Sequence, residues 1–127
     1  MIVLISIILL AGASIWYMNN TAYEKRAESR IHKYMDAQGI HENQITTEIS
    51  QKDIESGDWK IMYELKGEEN IAYEYAYDRH IDAVLLIVYG PNEKEADENN
   101  EIKEGMNYPP LADDWVTFDD EGKIQIP

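Results

Sequence analysis

Polar and apolar residues alternate most regularly between positions 59 and 90. Trp59, Ile61, Tyr63 and Leu65 fall on one side of an extended chain, and Lys60, Glu64 and Lys66 share the other with Met62. After a polar turn at Gly67, Glu68, Glu69 and Asn70 the period of two resumes, with Ile71, Tyr73, Tyr75 and Tyr77 set against Ala72, Glu74, Ala76 and Asp78. Two such strands in succession predict an antiparallel pair with its aromatic rows side by side on one face. The run from Ile81 to Tyr89 is almost entirely apolar between Ala83 and Val88, as in a strand buried on both faces, and Gly90-Pro91 closes it. A weaker edge strand, with Ile45, Thr47 and Ile49 on one side, comes before them, and the turn Glu55-Ser56-Gly57-Asp58 leads back to Trp59.

Upstream the period changes. Tyr23, Ala27, Ile31, Tyr34 and Met35 recur at spacings of three and four and form one apolar stripe of a helix. Thr21 and Glu24 fit a capping box, which starts this helix near Ala22 unless a preceding helix simply runs on. Gly39 suits the left-handed position after the last turn and lets Ile40 fold back onto Met35. The sheet is the only surface available to that stripe. Residues 1–18 carry no charged side chain, and as a helix they reach about 27 Å, close to the hydrocarbon thickness of a bilayer. Trp16 and Tyr17 at the far end suit a membrane interface. Ala11-Gly12-Ala13 has the form of a signal cleavage site, but no basic stretch precedes it, so the expectation is an uncleaved anchor. Lys25, Arg26, Arg30 and Lys33 follow, and the positive-inside rule alone would hold the rest of the chain in the cytoplasm.

Downstream, residues 92–104 are too polar to bury surface and read as a linker. Leu111 and the run from Trp115 to Phe118 restore apolar character, and with residues 123–126 they predict a short terminal hairpin, either docked on the sheet or partly disordered. The expected fold is therefore α+β: an N-terminal transmembrane helix, one amphipathic helix packed on a four-stranded antiparallel meander, and an acidic tail with a hairpin. This divides the chain into an anchor (1–20), a helix-plus-sheet domain (21–90) and a linker with hairpin (91–127). The outline is similar to cystatin-like folds, a likeness of fold that implies no activity.

Composition narrows the chemistry. The net charge is −14, and from residue 91 onward eleven acids face three lysines, a surface that repels nucleic acid phosphates. Cysteine is absent, which removes disulfides, thiolate nucleophiles and cysteine-based zinc sites. His32, His41 and His80 are scattered through a helix, a loop and a turn without metal-ligand spacing, and no G-x-S-x-G motif occurs. No metal or cofactor is expected. Glu64 and Glu74 lie on neighbouring strands opposite the aromatic rows, where a carboxylate pair could serve a hydrolase, although a solvated face is the simpler reading. The stretch Asp119-Asp120-Glu121-Gly122-Lys123 lacks the alternating ligands of a calcium loop and reads as a turn. The row Tyr73, Tyr75 and Tyr77, with Tyr63 and Trp59 beside it, first suggests the layer between sheet and helix. Wherever the row is uncovered it would be an aromatic contact surface for a protein or a glycan.

The order of parts, and residues 66–75 (KGEENIAYEY) in particular, resembles a family of small proteins of Gram-positive bacteria, the domain of unknown function numbered three-one-three-nine. Its members begin with a hydrophobic segment, continue with a helix ending in a KY-like motif, here His32-Lys33-Tyr34, and carry an acidic, tyrosine-rich strand. The likeness runs over residues 1–89, with one departure: members often start with several lysines, whereas this chain has none before Lys25. The resemblance implies an architecture and a place in the cell envelope, with the domain facing outward. The expected function is thus that of a membrane-anchored, single-pass envelope protein without catalysis, binding a protein or glycan, with the bilayer as a partner of its N-terminal helix. The alternatives are a small carboxylate-dependent hydrolase and an accessory of a membrane complex with its domain in the cytoplasm.

Overall fold

A computed structural model describes the backbone of residues 2–90 and 100–127, and the side chains of these residues apart from 2–4 and 14–19. One helix, α1 (Ile2–Gln38), is followed by a 3-10 turn (Glu42–Gln44) and six strands: β1 (Ile45–Lys52), β2 (Trp59–Leu65), β3 (Glu68–Asp78), β4 (Ala83–Tyr89), β5 (Val116–Phe118) and β6 (Ile124–Gln125). All six form one antiparallel sheet in chain order. This corrects the expected four-stranded meander with a membrane helix. The hairpin of β5 and β6 is too short to persist alone, and it extends the sheet by pairing Val116 and Thr117 with Val84 and Ala83 of β4.

Of the two expected helix arrangements, the structure has the one in which the preceding helix runs on. Thr21 and Glu24 lie inside a continuous α1 rather than at its start. Among the described residues it packs on the sheet through Tyr23, Ala27, Ile31, Tyr34 and Met35, all buried. It stops where Gly39 takes φ 86°, with Ile40 N–H donating to Met35 O and Gly39 N–H to Asp36 O, each at 3.0 Å. These two bonds define a Schellman motif, and Ile40 buries itself beside Met35. Half of the expected span over residues 1–18 falls on side chains outside the described set. Among the described residues no helix is long and apolar enough to cross a membrane. The transmembrane anchor and the single-pass membrane localisation are therefore corrected, and the bilayer as a partner rested on the same span. Ile5, Ile7, Ile8, Leu9 and Leu10 are exposed.

The core is a layer of rings between α1 and one sheet face. Tyr63, Tyr73, Tyr75 and Tyr77 are each 0% exposed, and Tyr75 meets Tyr34 and Tyr63 edge-on at centroid distances of 5.6 and 5.8 Å. Their common face follows from the register, which sets Tyr63 opposite Tyr73 and Ile61 opposite Tyr75. Edge-to-face packing aligns the positive rim of one ring with the negative face of the next.

Candidate functional site

Each buried tyrosine must still satisfy a hydroxyl, and the ways in which they do so define the site. Tyr75 donates at 2.7 Å to the Gln38 side-chain oxygen. That bond fixes the amide, so Gln38 Nε2 points away from the core and donates to the carbonyls of Tyr108 and Pro109 at 3.0 and 3.1 Å. Tyr73 donates at 2.7 Å to Glu68 Oε1, while Glu68 Oε2 accepts the Asn107 N–H at 2.9 Å. The Tyr34 hydroxyl accepts the Leu111 N–H at 2.9 Å. Gln44 Nε2 donates to the Tyr108 hydroxyl, and the Tyr108 ring stands edge-on to Tyr73 at 6.5 Å. The polar ends of the core thus grip one stretch, residues 107–111 (NYPPL), mostly by its main chain.

The same arm, residues 100–127, is held further along. Ile102 N–H donates to Val88 O at 2.8 Å, and Gly90 N–H donates to Asn100 O at 2.9 Å, on the edge of β4. At the other end, Arg30 lies over the Phe118 ring at 5.1 Å and Lys33 Nζ donates to Gly122 O at 2.6 Å. Gly122 takes φ 78°, and a Cβ there would come within 2.6 Å of Arg30 Nη1 and 2.8 Å of Lys33 Nζ. A side chain there is strained by the conformation and would push aside the flexible ends of Arg30 and Lys33. Between these two holds, a cavity of about 320 Å³ separates the arm from β4, lined among others by Leu86, Val88, Ile102, Pro109, Pro110 and Ala112.

A second polar cluster locks α1 to the β3–β4 turn. Tyr77 donates at 2.7 Å to Asp82 Oδ1, which also accepts from Arg30 Nε at 3.0 Å. Burial pushes the Asp82 carboxyl up, but the bonds from Arg30 and Tyr77 outweigh it and hold the group below its ordinary range. Asp82 sits at φ 47°, a conformation short polar residues tolerate. Burial pushes the hydroxyls of Tyr63, Tyr73 and Tyr77 far up, with Glu48, Glu68 and Asp82 adding to it in turn; Tyr75 is shifted well up by burial.

The residues expected to carry function fall as follows. Tyr63, Tyr73, Tyr75 and Tyr77 come together, but beneath α1 and the arm, so they offer no open aromatic surface. Trp59 is half-buried, edge-on to Tyr23, with Nε1 donating to Ser50 Oγ at 2.7 Å. Glu74 faces Met62 and Ile87, 3.6 Å from Lys60 Nζ, whereas Glu64 faces Thr47 of β1 beside a register shift. His41 and His80 are exposed, and no group of three metal-ligating side chains converges among the described residues. In the Asp119 turn the carboxylate accepts its own downstream amides, Glu121 at 2.9 Å and Lys123 at 2.8 Å. Gln38, Glu68 and residues 107–111 were missed by pattern reading. The one signal available was Tyr108-Pro109-Pro110-Leu111, an aromatic, two prolines and an aliphatic in a polar tail.

The fold defines an α+β protein with one helix on an antiparallel sheet closed by a C-terminal arm. The profile of the family described as "Protein of unknown function (DUF3139)" matches residues 1–77, and the chain belongs to that family. No curated protein and no solved structure matches the chain.

Proposed function

We propose that this protein is a non-catalytic binding module whose recognition surface is the rim where the end of α1, the start of β3 and the arm meet. One observation carries this reading. Tyr34, Gln38 and Glu68, anchored by or belonging to the core, direct hydrogen-bonding groups at the main chain of a segment as far as 77 residues away in sequence. Groups that address peptide amides and carbonyls fit a protein partner better than a glycan. Hydrogen-bonding groups pre-set by a rigid core lose little entropy on binding, which favours recognition over adaptation.

The reading is tested by placing a photo-reactive residue at the exposed position of Asp113, on the rim, and irradiating cells that express the full chain. A discrete protein adduct is expected that disappears with Gln38→Ala and survives Glu64→Gln with Glu74→Gln. An adduct indifferent to Gln38, or a substrate turnover lost with the two glutamates, would sink the proposal.

A further inference from the structure

Resting on that binding reading, we infer that the groove under residues 107–111 is a peptide-binding cleft, and that its ligand in trans is a segment of another protein with the pattern aromatic-Pro-Pro-aliphatic. The chain's own arm occupies this cleft in cis. The inference comes from how the arm is held. Between Asn107 and Leu111, main-chain N–H groups donate to Glu68 and Tyr34 and main-chain carbonyls accept from Gln38, three side chains that lie on β3 and α1 and not on the arm. Such bonds address any polypeptide that follows the same path. Selectivity then comes from the side chains: the Tyr108 ring against Tyr73 with its hydroxyl at Gln44, the prolines at the mouth of the cavity beside β4, and Leu111 partly buried against the core. Two adjacent prolines pre-form an extended helix without internal hydrogen bonds, so its carbonyls stay free to accept from a donor such as Gln38 and little order is lost on docking.

The arm is also built to leave. Tyr108, Pro110 and Leu111 are only partly buried and Pro109 is exposed, whereas the tyrosines beneath are fully covered. Its sheet pairing with β4 is the two pairs of β5 and one bridge between Glu101 and Tyr89, against seven pairs between β3 and β4. Elements with few buried contacts open at lower free energy than the core around them. A tethered arm competes at an effective concentration on the order of millimolar, so a ligand in trans binds weakly until the arm loosens.

The test uses the full-length protein and a labelled synthetic peptide of residues 105–115 (GMNYPPLADDW). Tyr108→Ala removes the ring contact and the Gln44 bond from the arm while leaving the cleft intact. The peptide is expected to bind Tyr108→Ala about tenfold or more tighter than wild type, and to lose about tenfold when Gln38→Ala is added or when alanine replaces both prolines of the peptide. A folded Tyr108→Ala protein that ignores the peptide, or binds it regardless of Gln38, overturns the inference. So does an arm-exchanged dimer that excludes the peptide, since the occupant would then be a second copy. Hydrogen exchange on the wild type decides the matter if Tyr108→Ala does not fold. Exchange of the Asn107 and Leu111 amides through local opening supports the cleft, and exchange only in step with the β3 amides overturns it. The peptide recovered afterwards separates the two readings. Cleaved peptide refutes the non-catalytic module but leaves the cleft, whereas absent binding with the Gln38-dependent adduct retained refutes the cleft alone.

Discussion

Gln38 illustrates how one side chain converts core packing into a surface property. Its oxygen is committed to a buried hydroxyl, so its nitrogen can only face the arm. Gln38→Glu keeps the size and the acceptor for Tyr75 but sets a carboxylate against two carbonyls, and breaking such bonds costs about 1–3 kcal/mol. The expected outcome is faster hydrogen exchange at residues 107–111 with unchanged protection in β2 and β3. Asp82 makes a different case. Asparagine accepts the same positive φ, so Asp82→Asn removes the ion pair with Arg30 without backbone strain, at a cost of about 1 kcal/mol at neutral pH. Because the folded carboxyl is held below its ordinary 3.8, the stabilisation is present above that value and fades as pH falls. Urea midpoints of wild type and variant should therefore differ at pH 7 and approach one another as pH falls below 3.8.

At the scale of elements, α1 carries an exposed, largely apolar helical stretch at residues 5–13 and a docked part from Tyr23 to Met35. Docking rests on a single stripe, so each member matters. Ile31 is 0% exposed in the middle of that stripe, and Ile31→Ala should lower stability by about 2–5 kcal/mol, read from urea unfolding followed by circular dichroism. A loss below 1 kcal/mol would mean that the helix is not pressed on the tyrosine layer. The stripe, its stop at Gly39 and the alternation in β2 and β3 were legible because each is a local period or a local conformational demand. The continuity of α1 was not, since a capping-box sequence inside a helix looks the same as one at its start. Nor was the buried acid Glu68, which pattern reading assigns to a turn because nothing nearby in sequence announces its partner at Asn107.

At the scale of the whole molecule, the tyrosine layer makes stability depend on alkaline pH. Tyr23, Tyr34, Tyr63, Tyr73, Tyr75 and Tyr77 all titrate above the ordinary 10.0 in the folded state, chiefly because burial disfavours the phenolate. The unfolded chain loses these protons near pH 10 and the folded chain does not, so stability is complete below pH 10 and falls as pH rises. Each hydroxyl that stays protonated in the folded state contributes up to about 1.4 kcal/mol per pH unit once the unfolded chain has titrated, so several together rival the whole stability of a small domain. Unfolding is expected within about one to two units above pH 10, with tyrosinate absorbance and loss of circular dichroism rising together. Absorbance that rises near pH 10 while the dichroism stays constant would show the rings open to solvent.

By itself the sequence determined which residues share a face and where elements stop, because a period of two or of three to four and a glycine at positive φ act over a few residues. Only the tertiary structure decided what covers those faces. Tyr73 and Tyr75 alternate in the same way whether their row is open or closed. A segment more than 30 residues downstream, brought back through Gln38, Glu68 and Tyr34, turns an aromatic surface into a core and its hydroxyls into a grip. Side-chain period reports orientation relative to the strand, and it carries no information about a partner that approaches from elsewhere in the chain.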